Sequence, residues 1–364
     1  MKILFVLEYY YPNIGGVETL FKTLAESLVQ KGHEVSVITM RFKNDLPVRE
    51  KINGVEIIRT GLSNRYLFTL FGLFPVLKKA GNFDLIQTTS YGAAFPAVIA
   101  GKLKKKKTVI TFHELWGNLW FKLPFLSLPE KIINYLTEQI VARLPYHKII
   151  TVSDFTKNSF LKANIGKNRI ERIYNGLDYT AFGNFQYNPP KNFTFTYFGR
   201  LGVSKGIDLL LDAAKRFLPE NPESILKLII PTRPEKMYRR ITDIIKKSGI
   251  SKQVQIKSNL DRDTLFRELC YSSCIVIPSY SEGFGFTAAE SAGLGVPVIS
   301  SKQGALQEVV SGRLITMEKF NSQSLYKALV DAKQGKWQQT ERKRFPLETS
   351  VEAYEKLYAS IAVK

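Results

Sequence analysis

The chain has 364 residues, of which 45% are hydrophobic and 23% charged, with a net charge of +20. That length exceeds one ordinary core and suits two domains of roughly 150 to 200 residues each, and the composition excludes a disordered or fibrous chain. Two cysteines, Cys270 and Cys274, exclude a disulfide framework; with no His or further Cys beside them, their spacing reads as packing against a strand and not as a metal site.

The N-terminal run MKILFVLEYYYP lacks the cleavage signature of a leader. The longest apolar stretches, Leu67–Leu77 and Tyr91–Ala100, fall short of the ~18 to 20 residues of a membrane span, so a cytoplasmic protein is expected. The positive charge is spread over both halves: residues 1–180 hold 25 Lys/Arg against 14 Asp/Glu, and residues 181–364 hold 27 against 18. Local clusters remain at Lys78–Lys79, Lys102 and Lys104–Lys107. They suit an anionic partner: a nucleotide diphosphate, an anionic lipid or nucleic acid.

In chain order, KILFVL reads as a strand, EYYYPNIGG as a loop, VETLFKTLAESLVQKG as a helix closed by Gly32, and EVSVITM as a second strand. Strand, loop, helix, strand is the crossover unit of a parallel sheet. Further strands are expected at Val55–Thr60, Leu85–Thr88, Thr108–Phe112 and Lys148–Val152. Between Tyr174 and Asn192 the pattern lapses into Asn-Gly, Pro-Pro and scattered aromatics, as a linker does. The rhythm then restarts with FTFTYFGR, IDLLLDAAKRFL, ILKLIIP, MYRRITDIIKKSG, VQIKS, TLFRELCYSS, CIVIPS, a helix and VPVISS. The fold class is therefore α/β. The expected layout is a first Rossmann-like domain over 1–174, a linker over 175–192 and a second such domain over 193–344. A last helix within 345–364 has no strand partner and is expected to return to the first domain.

Three loops that follow strands carry unusual residues. In Tyr11–Glu18, paired glycines including Gly16 precede a helix, where backbone can approach an anionic ligand; an ordinary turn explains them equally well. In Tyr197–Gly206, Arg200 and Lys205 leave a strand end before a helix. Arg for bidentate contact and Lys as a point charge suit a diphosphate, with a solvated loop as the lesser reading. In Pro278–Gly295, Glu282 sits among glycines. A helix starting near Phe286 would aim its positive end at phosphate, with Glu290 one turn further in. Gly283 and Gly285 clear the way for backbone contacts, Phe284, Phe286 and Thr287 frame them, and a half-buried Glu290 needs a partner such as a ribose diol. Asp261-Arg262-Asp263 looks like an acidic metal triplet, but its place before TLFRELCY makes it a helix cap, and no metal is expected.

These segments resemble, in order, the glycosyltransferases of family 4: P-x-x-G-G-x-E (Pro12 to Glu18), Tyr-Asn-Gly-x-Asp (Tyr174 to Asp178), G-R-L-x-x-x-K-G (Gly199 to Gly206), P-S-x-x-E-G-F-G (Pro278 to Gly285) and E-S-A-x-G-x-P-V (Glu290 to Val298). The resemblance runs over about residues 1 to 310. It implies the GT-B fold, two Rossmann-like domains whose parallel sheets face across a cleft. It also implies a donor diphosphate on Arg200 and Lys205, the nucleotide ribose on Glu290, the transferred sugar on Glu282, retention of anomeric configuration and no divalent metal. His113, in TFHELW, would lie beside the anomeric centre and hydrogen-bond the donor sugar. Read alone, it is equally a structural histidine. The chain departs from the family at PTRPEKM, where a glycine-rich turn is common near the base, and at the shortened SGRLITM.

The first domain would hold the acceptor. Its segments RYLFTLFGLFPVLKK and GNLWFKLPFLSLPEK, aromatic and leucine-rich with bordering lysines, fit either core helices with basic caps or a contact with the inner face of an anionic membrane. The implied function is transfer of a hexose-type sugar from a nucleotide diphosphate sugar to a glycan or lipid-linked acceptor, in cell-surface polysaccharide or glycolipid synthesis. A nucleotide-sugar epimerase or hydrolase on the same architecture would need more acid and base groups. A basic nucleic-acid module would have no use for the Glu282–Glu290 frame, so no nucleic-acid partner is expected.

Overall fold

A computed structural model describes residues 1–13 and 15–362. Ile14 in the Tyr11–Glu18 loop, and residues 363–364 of the expected last helix, lie outside them. The chain divides into two units: Met1–Lys122, Ser127–Gly176 and Leu347–Lys364 make the first, and Leu123–Leu126 with Leu177–Pro346 the second.

The first unit holds strands β1 (Lys2–Val6), β2 (Glu34–Met40), β3 (Arg49–Ile52), β4 (Val55–Thr60), β5 (Leu85–Thr89), β6 (Lys107–Phe112), β7 (Lys148–Thr151) and β8 (Ile170–Arg172). Its helices are α1 (Gly16–Gln30), α2 (Arg65–Phe71), α3 (Leu73–Ala80), α4 (Ala94–Leu103), α5 (Leu128–Arg143) and α6 (Asp154–Lys162). The strands form one sheet in the order β3-β4-β2-β1-β5-β6-β7-β8. All pairs are parallel except β3 with β4, a hairpin turning at Asn53-Gly54 that the chain-order reading leaves out. Asn-Gly takes positive φ at little cost, which is what so short a turn requires.

Alternation along β1 shows why helices cover both sheet faces. Ile3 and Phe5 bury under α1, whereas Leu4 and Val6 bury under the layer of α2, α3 and α4. Strands buried on both sides read as unbroken apolar runs, and this is why they are visible in the sequence.

The second unit holds β9 (Thr194–Phe198), β10 (Ile225–Ile229), β11 (Val254–Lys257), β12 (Cys274–Ile277), β13 (Val298–Ser300), β14 (Arg313–Thr316) and β15 (Gln338–Gln339). Between them run α7 (Ile207–Glu220), α8 (Glu235–Lys247), α9 (Arg262–Cys270), α10 (Phe286–Leu294), α11 (Leu306–Val309) and α12 (Ser322–Lys333). The sheet order is β11-β10-β9-β12-β13-β14-β15, parallel except for the edge pair β14 with β15. β14 falls within the segment SGRLITM, where no strand is expected from the sequence. Both units are thus Rossmann-like, as the sequence pattern implies.

The last helix, α13 (Leu347–Ala362), belongs to the first unit and shares a core with α1 and one face of the first sheet. Tyr354 and Tyr358 are fully buried there, their hydroxyls on Thr111 Oγ1 at 3.0 Å and Gln87 Oε1 at 2.8 Å. Gly176, from the Tyr-Asn-Gly-x-Asp segment, lies where α13 begins. A Cβ on it would meet the Leu347 backbone at 2.5 Å. That glycine therefore answers to close backbone packing and not to a ligand.

Candidate functional site

In the second sheet β9 and β12 are neighbours, and strand order reverses between them: the chain goes from β9 to β10 and β11 on one side, then back to β12 and on to β14 on the other. The carboxyl ends of two such strands are the usual ligand position of an open parallel sheet. The two loops here are Gly199–Gly206 and Pro278–Gly285, the same two that sequence reading singles out for Arg200, Lys205 and Glu282.

The loops interlock. Gly206 has φ +67°, and a Cβ there would sit 1.9 Å from the Pro278 carbonyl oxygen, so only glycine fits. The Tyr280 N–H donates to the Ser204 carbonyl at 2.7 Å. Lys205 Nζ then reaches Glu282 Oε1 at 2.8 Å, and Ser279 Oγ donates to the same oxygen at 2.8 Å. Glu282 is buried, 7% exposed, and its carbonyl accepts the Ala305 N–H at 2.8 Å. Gly304 closes over it: a Cβ at that position would lie 2.4 Å from the Glu282 carbonyl oxygen. Sequence reading assigns Lys205 and Glu282 to different parts of a ligand, and the structure joins them as one ion pair. It also adds Ser279 and Gly304, which carry no signal of their own, since a serine and a glycine in a loop are commonplace. Arg200 is exposed, and its carbonyl accepts from the buried Tyr197 hydroxyl at 3.2 Å.

Helix α10 starts at Phe286 behind Gly285, which has φ +93° and leaves the helix without a side-chain cap. The first amides of α10 are thus open to an anion. Gly283 and Phe284 are buried, the Phe284 ring packing edge-on to Phe286 and Phe345, whereas Thr287 is half-buried. Glu290 follows one turn in. It is half-buried, with no hydrogen bond or ion pair among the described residues. Burial lifts its pKa to about 7, with the Arg262 charge pulling the other way. Such a carboxylate lacks the hydrogen-bond donors that its burial demands. The neighbouring α9 accounts for the acidic triplet: Asp261 caps it by accepting the Thr264 N–H at 2.9 Å.

The first unit carries His113 and Gly16. His113 directly follows β6, half-buried, its ring edge-on to Phe21 with centroids 6.4 Å apart. Its carbonyl accepts from Thr156 Oγ1 at 3.1 Å. Beyond it, the Trp116 and Gly117 amides donate to the Glu138 carboxylate. Gly16 is the first residue of α1, whose N-terminus has no side-chain cap among the described residues. Gly15 before it is extended at φ −171°, a conformation open to any residue. The buried Glu18 accepts from Asn13 Nδ2 at 3.0 Å on one oxygen, and its other oxygen has no partner among the described residues. Arg200, Lys205, Glu282, residues 283–287 and Glu290 thus gather on one sheet edge of the second unit, while Gly16 and His113 belong to the first.

Residues 14–181 match the family described as Glycosyltransferase Family 4, and residues 183–344 match Glycosyl transferases group 1. An uncharacterised glycosyltransferase of Methanocaldococcus jannaschii is 28% identical over 336 residues, 85% of this chain and 83% of its own length. The gpi3 subunit of phosphatidylinositol N-acetylglucosaminyltransferase from Schizosaccharomyces pombe is 25% identical over 324 residues, 85% of this chain and 68% of its own length. Among solved structures, sucrose-phosphate synthase from Thermosynechococcus elongatus superposes with a TM-score of 0.75 at 20% identity, covering 100% of this chain and 96% of that one. Anabaena HepE in complex with UDP and glucose gives 0.72 at 18% identity, covering 99% and 100%.

Proposed function

Because the chain belongs to the family 4, group 1 glycosyltransferases and has their GT-B fold, we propose that it moves a hexose-type sugar from a nucleotide diphosphate sugar to a glycan or lipid-linked acceptor. In this reading the anomeric configuration is retained and no divalent metal is required. The observation that carries the reading is the set of groups on one sheet edge: the Lys205–Glu282 pair, the open start of α10 and the unpartnered Glu290 one turn behind it.

The chemistry follows from where charge develops. As the glycosidic bond breaks, negative charge grows on the departing diphosphate. Arg200, Lys205 and the α10 amides meet that charge, so their effect falls on the barrier and not only on binding. Lys205 is already held by Glu282, which saves reorganisation at the moment of reaction. Glu290 accepts the two ribose hydroxyls, which supply the donors it lacks. Glu282 keeps one carboxylate oxygen for a hydroxyl of the transferred sugar, and His113 hydrogen-bonds that sugar near the anomeric carbon. Relatives of this fold solved with UDP, and with UDP-glucose, support a nucleotide diphosphate sugar as donor.

A lipid-linked acceptor at the inner face of an anionic membrane is supported by the surface of the first unit. Tyr66, Leu70, Phe71 and Phe74 on α2 and α3, Ile99 and Leu103 on α4, and Leu128, Ile132, Ile133, Leu136 and Ile140 on α5 are all exposed. Residues 61–143 carry eleven Lys/Arg against four Asp/Glu. Among the described residues no helix is long and apolar enough to cross a membrane, so the contact proposed is peripheral.

The test is a thermal-shift screen against nucleotide sugars, followed by turnover of the stabilising one in EDTA. Lys205→Ala and Glu282→Ala are each expected to cut transfer about a hundredfold or more, the usual effect of losing one such electrostatic group. Near-normal transfer by either variant overturns the site assignment. Release of nucleoside diphosphate that ignores the acceptor favours a hydrolase instead.

A further inference from the structure

We propose that Glu138 is a positioning residue, whose carboxylate fixes the turn that carries His113. The proposal rests on the reading that His113 serves the transferred sugar.

Glu138 lies on the inward face of α5 and is 1% exposed. Each of its oxygens takes one backbone amide of the turn after β6: Trp116 N–H to Oε1 at 2.8 Å and Gly117 N–H to Oε2 at 2.7 Å. The Trp120 indole adds its pull on the carboxylate, although no hydrogen bond of normal geometry joins the two. Two further anchors act on the same turn. The Leu115 side chain is buried among the residues of α4, α5 and α6, and the His113 carbonyl is held by Thr156. The backbone from His113 to Gly117 is therefore pinned at three points, while the imidazole stays half-buried at the end of β6.

Apolar packing alone does not call for a carboxylate here, and the amides it takes open the 3-10 helix Gly117–Lys122. A buried acid is costly, and burial raises the pKa of Glu138 while the two amides pull it back. The same helix carries Leu128, Ile132, Ile133, Leu136 and Ile140 on its exposed face. An acid inside and aliphatics outside is the reverse of what core stability favours. Both carboxylate oxygens are used on successive amides of one turn, and that turn begins at His113. A displaced turn would carry the imidazole away from the sugar. An ångström of misplacement typically costs up to about a hundredfold in rate.

Labelling makes the test direct, because the chain has three histidines and three tryptophans. In the full chain labelled with 15N-His and 15N-Trp, Glu138→Gln is expected to shift the Trp116 amide and the His113 ring signals. The signals of His33, His147 and Trp337 are expected to stay in place, with His113→Ala and Trp116→Phe supplying the assignments. Glu138→Asp, whose shorter arm reaches only one amide, is the second variant and is read in the same way should the glutamine form fail to fold. A His113 ring at its wild-type position, in a variant whose Trp116 amide has moved, overturns the proposal. In transfer assays with the donor found by the screen, Glu138→Gln is expected to lower kcat about tenfold or more at unchanged donor KM. His113→Ala separates the two ideas. If it leaves transfer intact, the role given to His113 fails while the ring shift still decides the positioning. If it abolishes transfer and Glu138→Gln keeps full kcat, the positioning fails.

Discussion

At Glu290, burial lifts the pKa to about 7 against the opposing charge of Arg262. A ribose diol donates to the ionised carboxylate, so protonation competes with the donor. Donor affinity is expected to weaken as pH falls below about 7, and Glu290→Gln, measured by calorimetric titration between pH 5.5 and 8.5, is expected to bind more weakly with a flatter profile. The consequence for stability has the opposite sense. A carboxyl whose pKa is raised by folding favours the fold fully only below its unfolded value near 4.5, and that contribution is lost as pH rises through about 7. At about 1.4 kcal/mol per unit of pKa, Glu290→Gln should stabilise the protein by about 3–4 kcal/mol at pH 8 and leave it nearly unchanged at pH 4. Urea midpoints at the two pH values check the sign. Gly206 is a simpler case. Alanine there meets the Pro278 carbonyl in a left-handed conformation, and the combined overpacking and backbone strain is expected to cost about 3 kcal/mol, seen in the same urea unfolding.

Among the elements, α10 and α5 carry their functions on opposite principles. Helix α10 acts through its backbone: Ala288, Ala289 and Ala292 are buried, its small side chains let it sit close to the sheet, and no side chain caps its N-terminus among the described residues. Helix α5 acts through side chains, with Glu138 inward and an aliphatic stripe outward. Long apolar side chains left in water beside lysines are what an interfacial helix presents to lipid head groups and acyl chains. The double variant Ile133→Asp with Leu136→Asp replaces part of that stripe with like charge to the membrane. It is expected to lose co-sedimentation with anionic liposomes at low salt while keeping the thermal shift produced by the donor. If the wild-type chain stays in the supernatant with anionic liposomes, the membrane contact is refuted.

For the whole molecule, β-α alternation and apolar strand runs are legible in the sequence because parallel strands are buried on both faces. The hairpin of β3 and β4 is announced only by Asn53-Gly54, and β3, β8 and β15 are short edge strands with exposed residues, so no apolar run marks them. The candidate ligand residues are legible as loop motifs, since glycines, cations and glutamates gather in the segments that follow two strands. What those residues touch is not legible. Glu282 meets Lys205 77 positions away, Gly206 rests on Pro278, and Glu138 holds a turn 21 positions upstream. Each contact depends on which strands are neighbours, and strand order is a property of the assembled sheet that no local pattern encodes. The sequence by itself determined two α/β units, their strands and the chemistry carried by their loops, because periodicity and backbone-special residues are local. The tertiary structure alone decided that β9 and β12 adjoin where strand order reverses. Only that adjacency brings a lysine, two glutamates and an open helix end to one place.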